Sequence, residues 1–225
     1  TYNESMNIEN TISKVLQTPN IDILVIDDGS PDGTGDIAES LAFKNPRINV
    51  IHRKEKSGLG TAYKEGFAWG IKNGYENLIE MDCDGSHPAD KLQTMLNLLE
   101  SNDLVIGSRY IHGGKTENWP LASRALSKGA NIYARLMLRG KVKDTTSGFR
   151  GLKRNRAMEF LQSDVEAKGF AFQIGMTNYA NRNNWKTTEF PITFIERLNG
   201  ESKINNAIKI EAFFLIPKWG LTTIF

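Results

Sequence analysis

Apolar positions fall in short blocks along the chain, and the blocks switch between two periods. Ile21–Ile26 is an apolar run interrupted only by Asp22, of the length of a buried strand. Ile48–Ile51, the trio Leu78, Ile79 and Met81, and Leu104–Ser108 repeat that signature. Between them the spacing turns helical. Glu9–Leu16 carries Ile12, Val15 and Leu16 on one stripe, Ile37–Phe43 follows, and Gly58-Leu59-Gly60 opens a helix to about Lys72. Pro88 begins another that runs to about Leu99, since proline suits a first helical turn and Ser86 or His87 can cap it. Later, Ser123–Leu138, Met158–Leu161 and Gln173–Ala180 are predicted helices, and Thr187–Ile195 is a strand broken at Pro191. Asp27–Thr34 and Asp144–Arg150 are dense turn clusters, and Tyr110–Trp119 is a polar surface loop. Strands alternating with helices of these lengths predict a single α/β domain with a mostly parallel central sheet and right-handed crossovers.

Length and charge narrow the picture. At 225 residues the chain buries a substantial core within one domain, with at most a short appendage. A net charge of +2 implies no nucleic-acid partner. The one cysteine, Cys83, excludes a disulfide framework and a Cys-based zinc site, and is in keeping with a reducing compartment. No run reaches the roughly 18 apolar residues of a spanning helix. The ends at Thr1 and Phe225 read as truncated, with no apolar strand ahead of Thr1.

The chemistry gathers at Asn77–Pro88. Gly85 and Pro88 stop the apolar strand, which leaves Asp82 and Asp84 at its C-terminal end. Ligands bind along that edge of an open α/β sheet. The bend at Gly85 turns both carboxylates toward one hard cation, for which oxygen ligands and substrate phosphates are the usual company. A loop with two solvated acids is the plainer reading of the same residues. Dinucleotide binding, the usual rival for this pattern, needs Gly-x-Gly-x-x-Gly after the first strand. Here that strand ends in Asp27-Asp28-Gly29-Ser30, and no Walker phosphate loop is present.

Taken in order, several motifs resemble family 2 glycosyltransferases, and more closely the polyprenyl-phosphate (dolichyl-phosphate) mannosyltransferases. They are Thr1-Tyr2-Asn3-Glu4, Ile26-Asp27-Asp28-Gly29-Ser30 with Asp32-Gly33-Thr34, Asp82-Cys83-Asp84-Gly85-Ser86-His87 and Gly107-Ser108-Arg109-Tyr110. Ser127-Lys128-Gly129-Ala130-Asn131, Asp144-Thr145-Thr146-Ser147-Gly148-Phe149-Arg150 and Arg197-Leu198-Asn199-Gly200-Glu201-Ser202-Lys203 complete the set.

The resemblance implies a nucleotide-sugar-binding, Rossmann-like fold of GT-A type. Residues 1–203 form the catalytic domain with its first strand missing. In the amphipathic segment 204–225, Ile204, Ile208, Ala212 and Leu215 lie on one helical stripe, which suits either a helix facing a membrane or an ordinary core-facing helix. The implied reaction moves mannose from GDP-mannose to a polyprenyl or dolichyl phosphate, with inversion, at the cytoplasmic face of a membrane. It implies that Tyr2, Glu4, Ile26, Asp28 and the backbone of Cys83 contact the nucleoside. Asp82, Asp84 and Ser86 hold Mg²⁺ or Mn²⁺, and Arg109, Arg197 and Lys203 face the phosphates. Arg124 and Ser127 bind the acceptor phosphate, and Asp144 is the best carboxylate for a base or a positioning group. Arginine forks onto phosphate and lysine adds a point charge, as these roles require.

A phosphate monoester is already ionised at neutral pH, with a second pKa near ~6, so no dedicated base is needed. One departure stands out: relatives read Phe-Gln-x-Glu where this chain has Phe172-Gln173-Ile174-Gly175. A glutamate restored at 175 is expected to raise or preserve activity. A UDP-glucose-dependent relative, a non-catalytic nucleotide-sugar-binding module and a nucleotidyltransferase remain the alternatives.

Overall fold

In this computed structural model, residues 1–165, 169, 171–197 and 214–220 are described. The chain runs through α1 (Ile8–Val15), β1 (Ile23–Asp27), α2 (Thr34–Lys44), β2 (Ile48–His52), α3 (Leu59–Lys72) and β3 (Asn77–Glu80). It continues with a 3-10 turn (Ala89–Lys91), α4 (Leu92–Leu99), β4 (Leu104–Ser108), β5 (Lys115–Glu117) and α5 (Leu121–Met137). Then come β6 (Arg150–Lys153), α6 (Arg154–Leu161), α7 (Ala171–Arg182), β7 (Thr187–Pro191) and β8 (Thr193–Ile195). Residues 214–220 are helical.

The strands form a β1-β2 pair, a β3-β6-β4-β7 sheet and a β5-β8 pair. Among the described residues, every pairing that does not involve β6 is parallel. β6 lies between β3 and β4 and is antiparallel to both. This α/β architecture is the predicted one. Three details differ from expectation. β6 emerges directly from the Asp144–Arg150 turn cluster, β5 lies inside the expected Tyr110–Trp119 loop, and neither Ser86 nor His87 caps the helix after Pro88. Arg-Gly-Leu-Lys is too short and too glycine-broken to show a two-residue period. It is a strand because it pairs with β3 and β4, and glycine fits there because a Cβ on Gly151 would come within 2.9 Å of Leu99 and Met95.

Both faces of the four-stranded sheet are covered. Leu78, Leu104, Ile106 and Leu152 point into one core, against Phe67 of α3, Ala134 of α5, Phe160 of α6 and Phe172 of α7. Ile79 and Val105 point the other way, against Leu92, Met95 and Leu99 of α4. Successive strand residues alternate faces, so burial on both explains why these strands read as continuous apolar runs. The strand ends then deliver Asp82, Asp84 and Arg109 to one edge of the sheet.

Gly175 of α7 explains part of the C-terminal packing. An added Cβ would stand 2.6 Å from Val165 Cγ1 and 3.0 Å from the Trp219 ring. The small residue lets the 214–220 helix press Ile216 and Trp219 onto the core, while Phe214 stays exposed. Of the stripe expected to face a membrane, Leu215 also packs on this core; Ile204, Ile208 and Ala212 lie outside the described residues. This geometry sets a packing cost against a side chain at position 175. Overpacking of this kind costs about 1–3 kcal/mol, and a buried carboxylate adds to it. Gly175→Glu is expected to lower the melting temperature measurably in thermal denaturation; a variant that melts with the parent would show that Trp219 yields freely.

Candidate active site

The edge of the sheet is built from the β1 turn, the turn after β3 and the turn before β6. At the first, Thr1 N donates to Ile26 O, and Asp28 N donates to Thr1 O at 3.0 Å, the rung pattern of a parallel neighbour. Tyr2 and Glu4 are thereby carried beside Asp28. Arg53 Nη1 donates to Asp28 Oδ1 at 2.6 Å, and Lys56 Nζ lies 4.4 Å from the centre of the Tyr2 ring. Glu4 is buried and accepts from Asn7 Nδ2 at 2.7 Å. Thr11 Oγ1 donates to Cys83 O at 2.9 Å, which joins α1 to the β3 turn and occupies that carbonyl. Burial pushes the Cys83 thiol up to about 12, so it stays protonated.

In the second turn, Gly85 takes a positive φ of 76°, the bend expected from the sequence. Ser86 N donates to Asp84 Oδ1 at 3.0 Å. Arg197, delivered by the end of β8, places Nη2 2.8 Å from Asp84 Oδ2 and Nη1 3.9 Å from Glu4. Burial raises the Asp84 pKa, but the Ser86 N–H hydrogen bond and the Arg197 charge hold it below the usual carboxylate value. Asp82 is more open. Its N–H donates to His87 Nδ1 at 3.1 Å, and Tyr63 Oη donates to its Oδ1 at 3.2 Å. Burial depresses the His87 pKa and keeps the ring neutral, as an accepting Nδ1 requires.

These residues suit a divalent cation. Ser86 Oγ is buried without a hydrogen-bond partner, and Gly148 has no side chain to cover the Asp82 carboxylate, where a Cβ would sit 3.3 Å from Oδ2. Among the described residues no three His, Cys, Asp or Glu side chains gather around one point. Asp82, Asp84 and Ser86 would supply only a partial oxygen set, of the kind Mg²⁺ completes with water and substrate phosphate.

The third turn carries a buried ion pair. Arg109 Nε and Nη2 each donate to Asp144 at 2.7 Å, and Arg109 N adds a third bond at 2.9 Å. The guanidinium is enclosed by Tyr110, Trp119 and Phe194, each 5.3 Å from its centre. Burial raises the Asp144 pKa, but Arg109 outweighs it and holds the carboxyl below its ordinary value. A fully engaged, ionised Asp144 positions Arg109 and is a poor base. Arg109 Nη2 also donates to Thr146 Oγ1, which accepts from Asn131 Nδ2. Ser127 accepts from Tyr110 Oη at 2.8 Å, whereas Arg124 is exposed on the first turn of α5. Phe194 touches both halves, packing edge-on against His87 and over Arg109.

The structure thus brings Tyr2, Glu4, Ile26, Asp28, Asp82, Cys83, Asp84, Ser86 and Arg197 to one edge, with Arg109, Asp144 and Ser127 adjoining. Lys203 lies outside the described residues. Tyr63, Arg53, Asn131 and Thr11 also belong to the site. Of these, only Asn131 stood in a recognisable motif.

The Asp144–Arg109 pair generates one expectation. Asp144→Ala leaves a buried, unpaired guanidinium, which costs about 3–5 kcal/mol. Equilibrium urea unfolding should show a matching loss, and an unchanged midpoint would contradict the pairing. The folded-state pKa is depressed, so the pair's contribution is present above about pH 3.9 and is lost as pH falls through the lower folded value. A second expectation concerns Arg197→Ala. Without that cation on Asp84, Mn²⁺ alone should bind more tightly by calorimetry while nucleoside diphosphate binds more weakly. Weaker Mn²⁺ binding would contradict a competition for Asp84.

A glycosyl transferase family 2 model matches residues 1–161. Polyprenol monophosphomannose synthase of Mycolicibacterium smegmatis is 44% identical over 224 residues, covering 98% of this chain and 84% of the relative. Undecaprenyl-phosphate mannosyltransferase of Micrococcus luteus is 42% identical over 222 residues, covering 98% and 91%. Among solved structures, glucosyl-3-phosphoglycerate synthase of Mycobacterium tuberculosis, in complex with Mn²⁺, UDP-glucose and phosphoglyceric acid, shares the fold. Its TM-score is 0.70 at 16% identity, over 98% of this chain and 77% of that one. By the family match and these relatives, the chain is a glycosyltransferase that belongs to glycosyl transferase family 2, among the polyprenyl-phosphate mannosyltransferases.

Proposed function

We propose that this enzyme transfers mannose from GDP-mannose to the phosphate of a polyprenyl or dolichyl phosphate, with inversion and with Mg²⁺ or Mn²⁺, at the cytoplasmic face of a membrane. The observation that carries the reading is the adjacency of two charge-handling sites. One is the Asp82–Asp84–Ser86 turn with Arg197. The other is the Arg109–Thr146–Asn131–Ser127 cluster across Phe194. The two relatives named for polyprenyl-phosphate mannosyl transfer support the acceptor.

On the donor side, Asp28 and the Tyr2–Glu4 segment face the nucleoside. Asp82, Asp84 and Ser86 would hold the cation, which when bound offsets charge growing on the leaving diphosphate. Arg197 exchanges Asp84 for a phosphate oxygen when the donor arrives, because its guanidinium pairs with either anion. On the acceptor side, Ser127 meets the lipid phosphate beside the Arg109–Asp144 pair, and Arg124 adds positive charge at the rim. That phosphate attacks as an ionised oxygen, so a buried Asp144 tied to Arg109 need not accept a proton.

The lipid tail fits α5. Leu121, Ala125, Ile132 and Leu136 lie on one exposed face that also carries Lys128, with Arg124 at its side, while Ser127 and Asn131 face inward. Such a helix lies in a membrane interface. No helix among the described residues is long and apolar enough to cross a membrane.

Labelled GDP-mannose, Mn²⁺ and a short polyprenyl phosphate should put label into the organic phase, released by mild acid. Transfer only from UDP-glucose would reject the donor, and label on a sugar or protein hydroxyl would reject the acceptor. Asp84→Ala or EDTA should abolish the transfer. In flotation, the protein should rise with anionic vesicles, and Leu121→Glu with Leu136→Glu should leave it at the bottom; flotation unaffected by both would move the membrane contact elsewhere.

A further inference from the structure

We infer that Tyr63 is a positioning residue for the cation site: its hydroxyl fixes the Asp82 carboxylate in the orientation that receives the metal. The inference rests on the reading of Asp82 as a cation ligand. Asp82 is the less enclosed of the two aspartates, with a side chain 40% exposed against 6% for Asp84. Asp84 is held by Ser86 N and Arg197. The Asp82 carboxylate has only Tyr63 Oη within hydrogen-bond distance among the described residues, at 3.2 Å from Oδ1. His87 fixes the Asp82 main chain instead, accepting its N–H, and its Nε2 stays 3.9 Å from Oδ2.

Tyr63 is itself well anchored. It stands on α3 three residues after Gly60, with its ring stacked on Phe67 at 6.5 Å and on Phe172 at 6.0 Å. Those two rings belong to the main core, so the hydroxyl is presented from a rigid base rather than from a loop. The other side of the carboxylate is left clear by Gly148. One oxygen is thus committed to Tyr63 through a single hydrogen bond, which leaves it a further lone pair, and Oδ2 accepts no hydrogen bond from a described residue. A partner that orients a ligand in this way is commonly worth 10–100-fold in metal affinity.

Phenylalanine at 63 would keep both ring stacks, so Tyr63→Phe removes the hydroxyl alone. Mn²⁺ binding in the presence of GDP, followed by electron paramagnetic resonance, is expected to weaken roughly 10-fold or more. The melting temperature and GDP binding in EDTA should stay at their parent values. The KM for the nucleotide sugar at low Mn²⁺ should rise and return toward the parent value at high Mn²⁺, with kcat largely kept. Unchanged Mn²⁺ affinity in Tyr63→Phe would overturn the inference while leaving the cation site standing. A lowered melting temperature with unchanged Mn²⁺ affinity would make the hydroxyl purely structural. A parent protein with no Mn²⁺ binding would overturn the cation reading and this inference together.

Discussion

Charge buried beneath the sheet edge must be paired, and this constraint organises the site. Arg150 is fully buried with its Nε 3.1 Å from Glu80, and Arg109 is bound in a fork to Asp144. Arg150 also donates to the carbonyls of Thr145, Ser147 and Gln173, so the 144–150 turn is wound around a guanidinium. Burial pushes Glu80 up to about 8 even with Arg150 beside it. Removing Asp144 from its pair leaves an uncompensated Arg109 charge that no small shift repairs. The turn is therefore fixed in shape, and with it Thr146, Gly148 and Phe149, which border both halves of the site.

This stiffness decides what each acid can do. Asp144 lies where a base might be sought, yet its environment spends both oxygens on Arg109. Asp82 and Asp84 are held differently, one half-open beneath a phenol and one under an arginine that can exchange partners. Equal side chains acquire unequal roles from what surrounds them. The nucleophile proposed for this enzyme arrives already charged, which agrees with a site that keeps no carboxylate in reserve for proton transfer.

Much of the architecture was legible because strands buried on both faces leave unbroken apolar runs. The turn at Asp82–Ser86 was legible because a short strand stopped by Gly85 fixes where the acids stand. What escaped notice was long-range or hidden by residue type. Arg109 and Asp144 are 35 positions apart, and no local pattern pairs them. Tyr63 looks like one more apolar member of a helix face, and only its neighbours in space reveal a hydroxyl turned to Asp82. β6 holds a glycine and two cations in four residues, so its strand character comes from β3 and β4 rather than from its own propensity. Gly175 read as a lost carboxylate, whereas its surroundings show a contact surface.

That surface ties two distant parts of the chain into one evolutionary unit. The space at position 175 and the bulk at position 219 are complementary, with the indole filling what a side chain on α7 would otherwise take. Drift at either position is then conditional on the other. A lineage that enlarges residue 175 must first shrink or swing away residue 219, and one that trims the tryptophan opens a cavity beside Val165. Inheritance should pass the two positions down as a pair.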